Sequence, residues 1–260
     1  MCVRTTIPTH TTKSHNLQFL PSCFCVYAVP KIPLIEDLTT GPIQPGSSIL
    51  VEYDASSQWY NASLTIAAEW LRTGGPLAYY VSTQPPDKVR LRLKQLGLNT
   101  DVLERDDLLR IIDWYTVTLG RKSQEKFARD SLRVADLSIW FSQFLKGPPT
   151  GAWLNIVDNF STIARFNDEK AWVEFALTRA IPAVLPGGEI GIMGIIRGVH
   201  SDWACKQLEA ALDGTVDFKL EEAGDETRNL IRVRNMRNVG FDSRWHHLKV
   251  SDKFEVAVEK

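Results

Sequence analysis

The chain has 260 residues, of which 44% are apolar and 23% charged, and its formal net charge is -1. That length supports a substantial buried core, the apolar-to-charged balance is ordinary for a globular protein, and a near-neutral charge excludes the global basic field that drives nucleic-acid binding. The four cysteines, Cys2, Cys23, Cys25 and Cys205, have no zinc-type spacing, and a reducing cytosol fits them best.

Residues 1–16 are rich in Thr, Ser and His and read as a disordered tail. Residues 17–29 are apolar but interrupted by Pro21, and are too short to span a bilayer. A secretory-leader reading, resting on Lys13 and the small residues near Ala28, is the weaker one. The expected division is a tail over 1–28 and one ordered domain over 29–260. Pro- and Gly-punctuated sequence leads to a first strand over 48–53, an apolar run with β-branched residues. Helical apolar spacing over 61–71 predicts the next helix, stopped by Gly74 and Gly75. A second strand is expected over 77–82, a basic amphipathic helix over 86–96 ending at Gly97, and a third strand over 108–114. Residues 115–130 show no clear period and read as a loop. Leu137, Trp140, Phe141, Phe144 and Leu145 form a helical stripe within 131–146, ended by Gly147, Pro148 and Pro149. A buried strand over 152–158 ends in Asp158. A helix over 167–185 follows, with Asn167 as its expected N-cap and Pro182 as a kink or end. A strand over 189–196 and a helix over 200–212 come next, then four strands over 214–220, 229–236, 245–250 and 253–258. Alternating strand and helix followed by a run of strands predicts an α/β fold, mostly parallel with an antiparallel C-terminal extension.

The most informative stretch is SSILVEYDASSQWYNAS at 47–63. It has the strand, tight loop and helix start that hold a phosphate in G-x-x-x-x-G-K-[ST] loops. In such loops glycines expose backbone N–H groups, the Lys reaches the outer phosphates and the hydroxyl holds Mg²⁺. The ungapped match places Tyr53 and Gln58 at the glycines, Trp59 at the Lys and Tyr60 at the Ser/Thr. Asp54 adds a carboxylate that repels phosphate. Ser56, Ser57, Asn61 and Ser63 are hydroxyl and amide donors that suit turn and capping chemistry better than an anion site. Trp59 and Tyr60 are expected to fill the pocket or pack beneath the helix rather than to meet a partner.

Further along, the lead-in PLIEDLTTGPIQPGSSILVEYD, the strand LNIVD with its successor NFST, the stretch NDEKAWVEFALTRAI, and the tail segments ALDGTVDFKLEE, RNLIRVRNMRN and HHLKV together resemble the KaiC-like branch of the RecA superfamily of P-loop ATPases. The resemblance runs from about Val29 to the C-terminus. It implies a RecA-like three-layer sandwich. It also implies that Asp158 occupies the Walker B position, that Gln84 stands where the family has catalytic glutamates, and that Arg237, in Asn235-Met236-Arg237, is the candidate that reaches a neighbour's nucleotide. Gln cannot accept a proton from an attacking water as a carboxylate does.

Three parts of the ATPase machine are therefore altered, and the expected function is a non-hydrolysing pseudo-ATPase. It would act through protein partners or beside an active paralogue, and head-to-tail self-assembly fits the heterologous contacts of that superfamily. No cofactor is expected, Asp158 being a metal ligand only if Mg²⁺ is retained with ATP. One alternative is a KaiC-like ATPase with an atypical loop, and another is a DNA-binding recombinase paralogue. The basic residues Lys88, Arg90, Arg92 and Lys94, with Arg232, Arg234, Arg237 and Arg244, admit the second alternative. Acidic neighbours Glu104, Asp106 and Asp107 favour a solvated face instead. His246 and His247 fall on opposite strand faces and make a poor metal pair. No nucleophilic triad is legible in the sequence. A cytoplasmic protein without a membrane segment is expected.

Overall fold

The computed structural model describes residues 31–144, 153–184 and 188–259. The readings placed on 1–28 and 147–149, and on the cysteines at 2, 23 and 25, lie outside the described residues. Ten strands form one sheet: β1 (Ser48–Tyr53), β2 (Leu77–Val81), β3 (Leu109–Asp113), β4 (Phe127–Ala128), β5 (Leu154–Val157), β6 (Ile190–Ile196), β7 (Gly214–Ala223), β8 (Glu226–Met236), β9 (His246–Val250) and β10 (Val256–Val258). Their order is β10-β9-β8-β7-β1-β6-β5-β2-β3-β4. Every pairing from β7 to β4 is parallel, and the pairings from β7 out to β10 are antiparallel. This is the α/β architecture expected from the sequence, with its antiparallel extension.

The helices are α1 (Trp59–Arg72), α2 (Pro86–Gln95), α3 (Thr100–Arg105), α4 (Tyr115–Thr118), α5 (Val134–Phe144), α6 (Ser161–Ala164), α7 (Glu169–Phe175), α8 (Ile181–Val184) and α9 (Asp202–Ala211). They cover both faces of the sheet because the strands are apolar on both. In β1, Ile49, Val51 and Tyr53 join α1 and α2 in one core, while Leu50 joins α5, α7 and α9 in the other. Three layers result.

Several boundaries differ from those expected. Helix α1 begins two residues early, at Trp59, because that side chain is buried rather than exposed at a loop tip. Asn167 does not cap α7. Asp168 does, accepting from the backbone of Lys170 and Ala171, while Asn167 bridges Val134, Leu132 and Ile163. The helix expected over 167–185 is divided by a π-helical turn, Ala176–Ala180, directly before α8. Pro182 has no N–H to donate, so regular α-bonding cannot run through it. The region read as loop at 115–130 contains α4 and β4. Helices α3 and α6, six and four residues long, were too short to show a period in the sequence.

Candidate functional site

Strands β1, β2 and β5 end on the same side of the sheet, where parallel α/β folds bind ligands. The connection from β1 to α1 is short. Asp54 carbonyl accepts from Ser57 N–H at 2.8 Å, and Gln58 carbonyl accepts from Ala62 N–H at 2.8 Å as α1 starts. The helix thus begins at Trp59, where the P-loop match put the lysine.

Trp59 does not point at solvent. It is 2% exposed, packs against Tyr53 and Phe218 with ring centroids 6.1 and 5.3 Å away, and donates its indole N–H to the Asp158 carbonyl at 2.7 Å. A glycine on β6 makes this possible. A Cβ on Gly194 would lie 2.5 Å from the Trp59 Nε1 and 2.6 Å from the Asp158 carbonyl oxygen. The expectation of packing under the helix is met by Trp59, while Tyr60 is half-buried beside it.

Asp158, immediately after β5, is 1% exposed. Its Oδ1 accepts from Ser82 N–H and Oγ at 2.9 and 2.7 Å. Its Oδ2 accepts from Thr83 N–H and Oγ1 at 3.1 and 2.6 Å. Four donors therefore occupy the roughly four lone-pair sites of a carboxylate. Burial pushes its pKa up, and the Thr83 and Ser82 hydrogen bonds oppose that rise. Its negative charge is felt nearby: burial raises the pKa of Tyr53, and raises that of Tyr60 to about 12, with Asp158 adding to both.

Between these elements lies a pocket of about 310 Å³. Of the residues singled out in the sequence, Tyr53, Ser57, Trp59, Tyr60, Gln84 and Asp158 line it, joined by Ala55, Thr83, Asn159 and Ile196. No Lys or Arg is among them. Asp54 turns away: its carboxylate accepts from Leu220 N–H at 3.1 Å and faces Arg197 at 3.3 Å. Ser56 is exposed, and Gln58 accepts from the Asn61 amide at 2.7 Å. Neither lines the pocket. Arg237, following β8, donates to the Ala210 carbonyl and does not line it either.

Two clusters were not foreseen. The first is Ser161, His200 and Glu169. His200 Nε2 lies 2.7 Å from Ser161 Oγ, and its Nδ1 lies 3.4 Å from Glu169. Ser161 Oγ also accepts the Ile196 N–H at 3.0 Å. The geometry resembles that of a nucleophilic triad. Ser161, however, is only 4% exposed, and it lines neither the pocket beside Trp59 nor the cavity beside Tyr80 and Trp114. The cluster acts as a tie between α6, α7 and the end of β6. His200 stacks on Trp172 at 4.2 Å, and burial lowers its pKa against the pull of Glu169. His200 lies 39 residues beyond Ser161 in the chain, so no local pattern marks the set.

The second cluster is ionic. Asp217 on β7 is fully buried and pairs with Arg197, Arg232 and Arg234, and Arg234 also meets Glu52 and Glu209. The basic face at 88–94 is similarly occupied. Arg90 is held by Asp87, Glu104 and Glu125, Lys94 by Asp101, and Arg92 lies over Phe254. Among the described residues, no group of three or more His, Cys, Asp or Glu side chains is placed to hold a metal ion, and no helix is long and apolar enough to cross a membrane.

The sheet order, the helices on both faces and the antiparallel extension define a RecA-like α/β fold of the kind found in KaiC-like proteins. The structure matches the crystal structure of a KaiC-like protein from the hyperthermophilic archaeon Pyrococcus horikoshii, with a TM-score of 0.69 over 90% of this chain and 98% of that one. At 15% identity this is a likeness of fold. In sequence, the chain is 21% identical over 225 residues to a UPF0273 protein of Thermotoga maritima, covering 85% of this chain and 91% of that protein. No family model matches the chain.

Proposed function

We propose that this chain is a KaiC-like member of the RecA superfamily whose nucleotide site has been altered so that it neither holds Mg²⁺-ATP nor hydrolyses it. The observation that carries this reading is Trp59. The indole stands at the P-loop lysine position, buried, with its N–H on the Asp158 carbonyl. An indole supplies no charge to a phosphate, and each lost charge-assisted hydrogen bond removes roughly 1.5–3 kcal/mol.

Two further features support it. Asp158 has its acceptor sites taken by Ser82 and Thr83, so orienting a metal-bound water would break bonds already made. Gln84 lines the pocket where an active relative places a carboxylate, and an amide is no general base. The residues present do not fit Mg²⁺ and a triphosphate.

The function that remains is binding: a cytoplasmic regulator, or a subunit beside an active paralogue, working through protein contacts. Head-to-tail self-assembly is part of this proposal. The acidic partners held by Arg90 and Lys94 argue against a nucleic-acid face on α2. A second reading, an ATPase with an atypical loop, draws support only from the persistence of the pocket. Calorimetric titration with ATP and Mg²⁺ separates the two. No heat up to millimolar ATP, and no Mg²⁺-dependent hydrolysis, are expected. Sub-millimolar binding, or hydrolysis abolished by Asp158→Ala, would overturn the proposal.

A further inference from the structure

The pocket between β1, β2 and β5 has not collapsed with the loss of its cations. Trp59 fills the lysine position beneath it, yet about 310 Å³ stays open above. Pockets of that size with polar groups facing inward are ligand sites by default. What its walls offer decides the class of ligand.

Two lining side chains are more than nine-tenths buried and hold unused polar atoms. Asn159, 8% exposed, uses its Oδ1 to accept Ser161 N–H, and its amide N–H groups have no partner among the described residues. Tyr53, 7% exposed, has a hydroxyl with no partner there. Ser57 Oγ is inaccessible to bulk solvent and unpartnered. Gln84 and the Tyr60 hydroxyl also make no side-chain hydrogen bond among the described residues. Left empty of partners, such groups cost about 1–3 kcal/mol each where they are buried, and a ligand with matching hydroxyls or amides recovers that.

The charge balance is as informative. No Lys or Arg lines the pocket, and the carboxylate in its wall, Asp158, already accepts from Ser82 and Thr83. An anion would enter with no donor cation to offset its charge. Asp158 cannot ligate a cation either, its lone pairs being engaged. Neutral polar groups set among aromatic rings suit a ring that is itself neutral.

We propose that this pocket binds a small uncharged ring compound bearing hydroxyl or amide groups, and discriminates against its phosphorylated form. The inference rests on the reading of the site as one that no longer takes ATP. It turns the altered loop from a lost site into a changed specificity.

The test uses matched pairs titrated calorimetrically into the full chain: adenosine with AMP, and glucose with glucose 6-phosphate. At least one neutral member should bind with a sub-millimolar Kd, at least tenfold tighter than its phosphorylated partner. Gln84→Ala, at an exposed position, and Tyr60→Phe, which keeps the half-buried ring and removes its hydroxyl, should each weaken that binding several-fold without lowering Tm. Failure of all four compounds to bind at millimolar concentration overturns the inference but leaves the non-hydrolysing reading intact. A phosphorylated member binding as tightly as its neutral partner overturns the inference. If ATP also binds sub-millimolar, that reading fails with it.

Discussion

At the scale of single residues, a tryptophan at the position the P-loop match gives to lysine differs in role as well as in charge. Trp59 is part of the core, between Tyr53, Phe218 and Gly194. Trp59→Ala should therefore cost about 3–5 kcal/mol, the range for deleting a large buried aromatic, measured by urea denaturation. A loss below 1 kcal/mol would mean that the indole is not held where the structure places it. Trp59→Lys should not restore ATP binding, because the ammonium would be buried against Tyr53 and Phe218. Asp158 gives a sharper test. Asp158→Ala removes the acceptor of the buried Ser82 N–H, at about 1–3 kcal/mol for a buried group left unsatisfied, while the exposed Thr83 donors turn to water. The expected phenotype is a lower urea midpoint and, on the proposed non-hydrolysing reading, no change in ATPase rate. Unchanged stability would show that Asp158 is not the structural acceptor described. The departures of residues 53–60 from the P-loop pattern were legible because the glycine-lysine spacing is a local pattern that can be checked position by position. The acceptor of the Trp59 indole was not, since Asp158 lies 99 residues away and only packing brings it there. Gly194 carried no sequence signal for the same reason: its role is to leave room for a side chain from another element.

At the scale of elements, β1, β2, β3, β5 and β6 were the most legible part because each is a short apolar run buried almost throughout, whereas the two-residue β4 was read as loop. The first strand was read at its observed bounds. The regular helices were read where the apolar stripe spans two or more turns, as in α1 and α9. What escaped were α3, α4 and α6, each under two turns, and the π turn before Pro182, whose cause is visible but whose form is not. The same holds for the tie that gathers α6, α7 and α9 at His200. Glu169, in the first turn of α7, accepts both the N–H and the hydroxyl of Ser201, which in turn caps α9. His200 sits between Ser161 and Glu169 as a neutral ring. Its pKa is held below 6.5 chiefly because burial disfavours the imidazolium. The unfolded chain therefore binds the proton first as pH falls. Stability from this group is complete above the unfolded value near 6.5, and is lost as pH drops through the folded value. The slope in that window is at most about 1.4 kcal/mol per pH unit. The melting temperature should fall between pH 7.5 and 5.5, and His200→Gln should flatten that part of the profile. An unchanged slope in the variant would remove His200 as the cause.

At the scale of the whole molecule, the open question is what joins the parallel sheet to the antiparallel extension. The sequence showed the change of pattern after residue 212, but not the device that bridges it. Asp217 is that device. It stands on β7, where parallel and antiparallel pairing meet, opposite Glu52 on β1 and Arg232 on β8. Arg234 reaches both Asp217 and Glu52, so one guanidinium spans three strands. Burial raises the Asp217 pKa, but the Arg234 and Arg232 hydrogen bonds outweigh it and the net shift is downward. The carboxylate is thus charged in the fold. Asp217→Asn removes a buried acceptor shared by three arginines, while Arg234 keeps Glu52 and Glu209 and Arg197 keeps Asp54. It should lower stability by about 1.5–3 kcal/mol in urea denaturation, the range for hydrogen bonds to a charged group. Arg232→Ala should cost much less, since Arg234 and Arg197 continue to hold the carboxylate and the Arg232 side chain is partly exposed. Equal losses from the two changes would mean that the cluster is a set of independent surface pairs. A large loss confined to Asp217→Asn would show that the two halves of the sheet are held as one by a single buried charge.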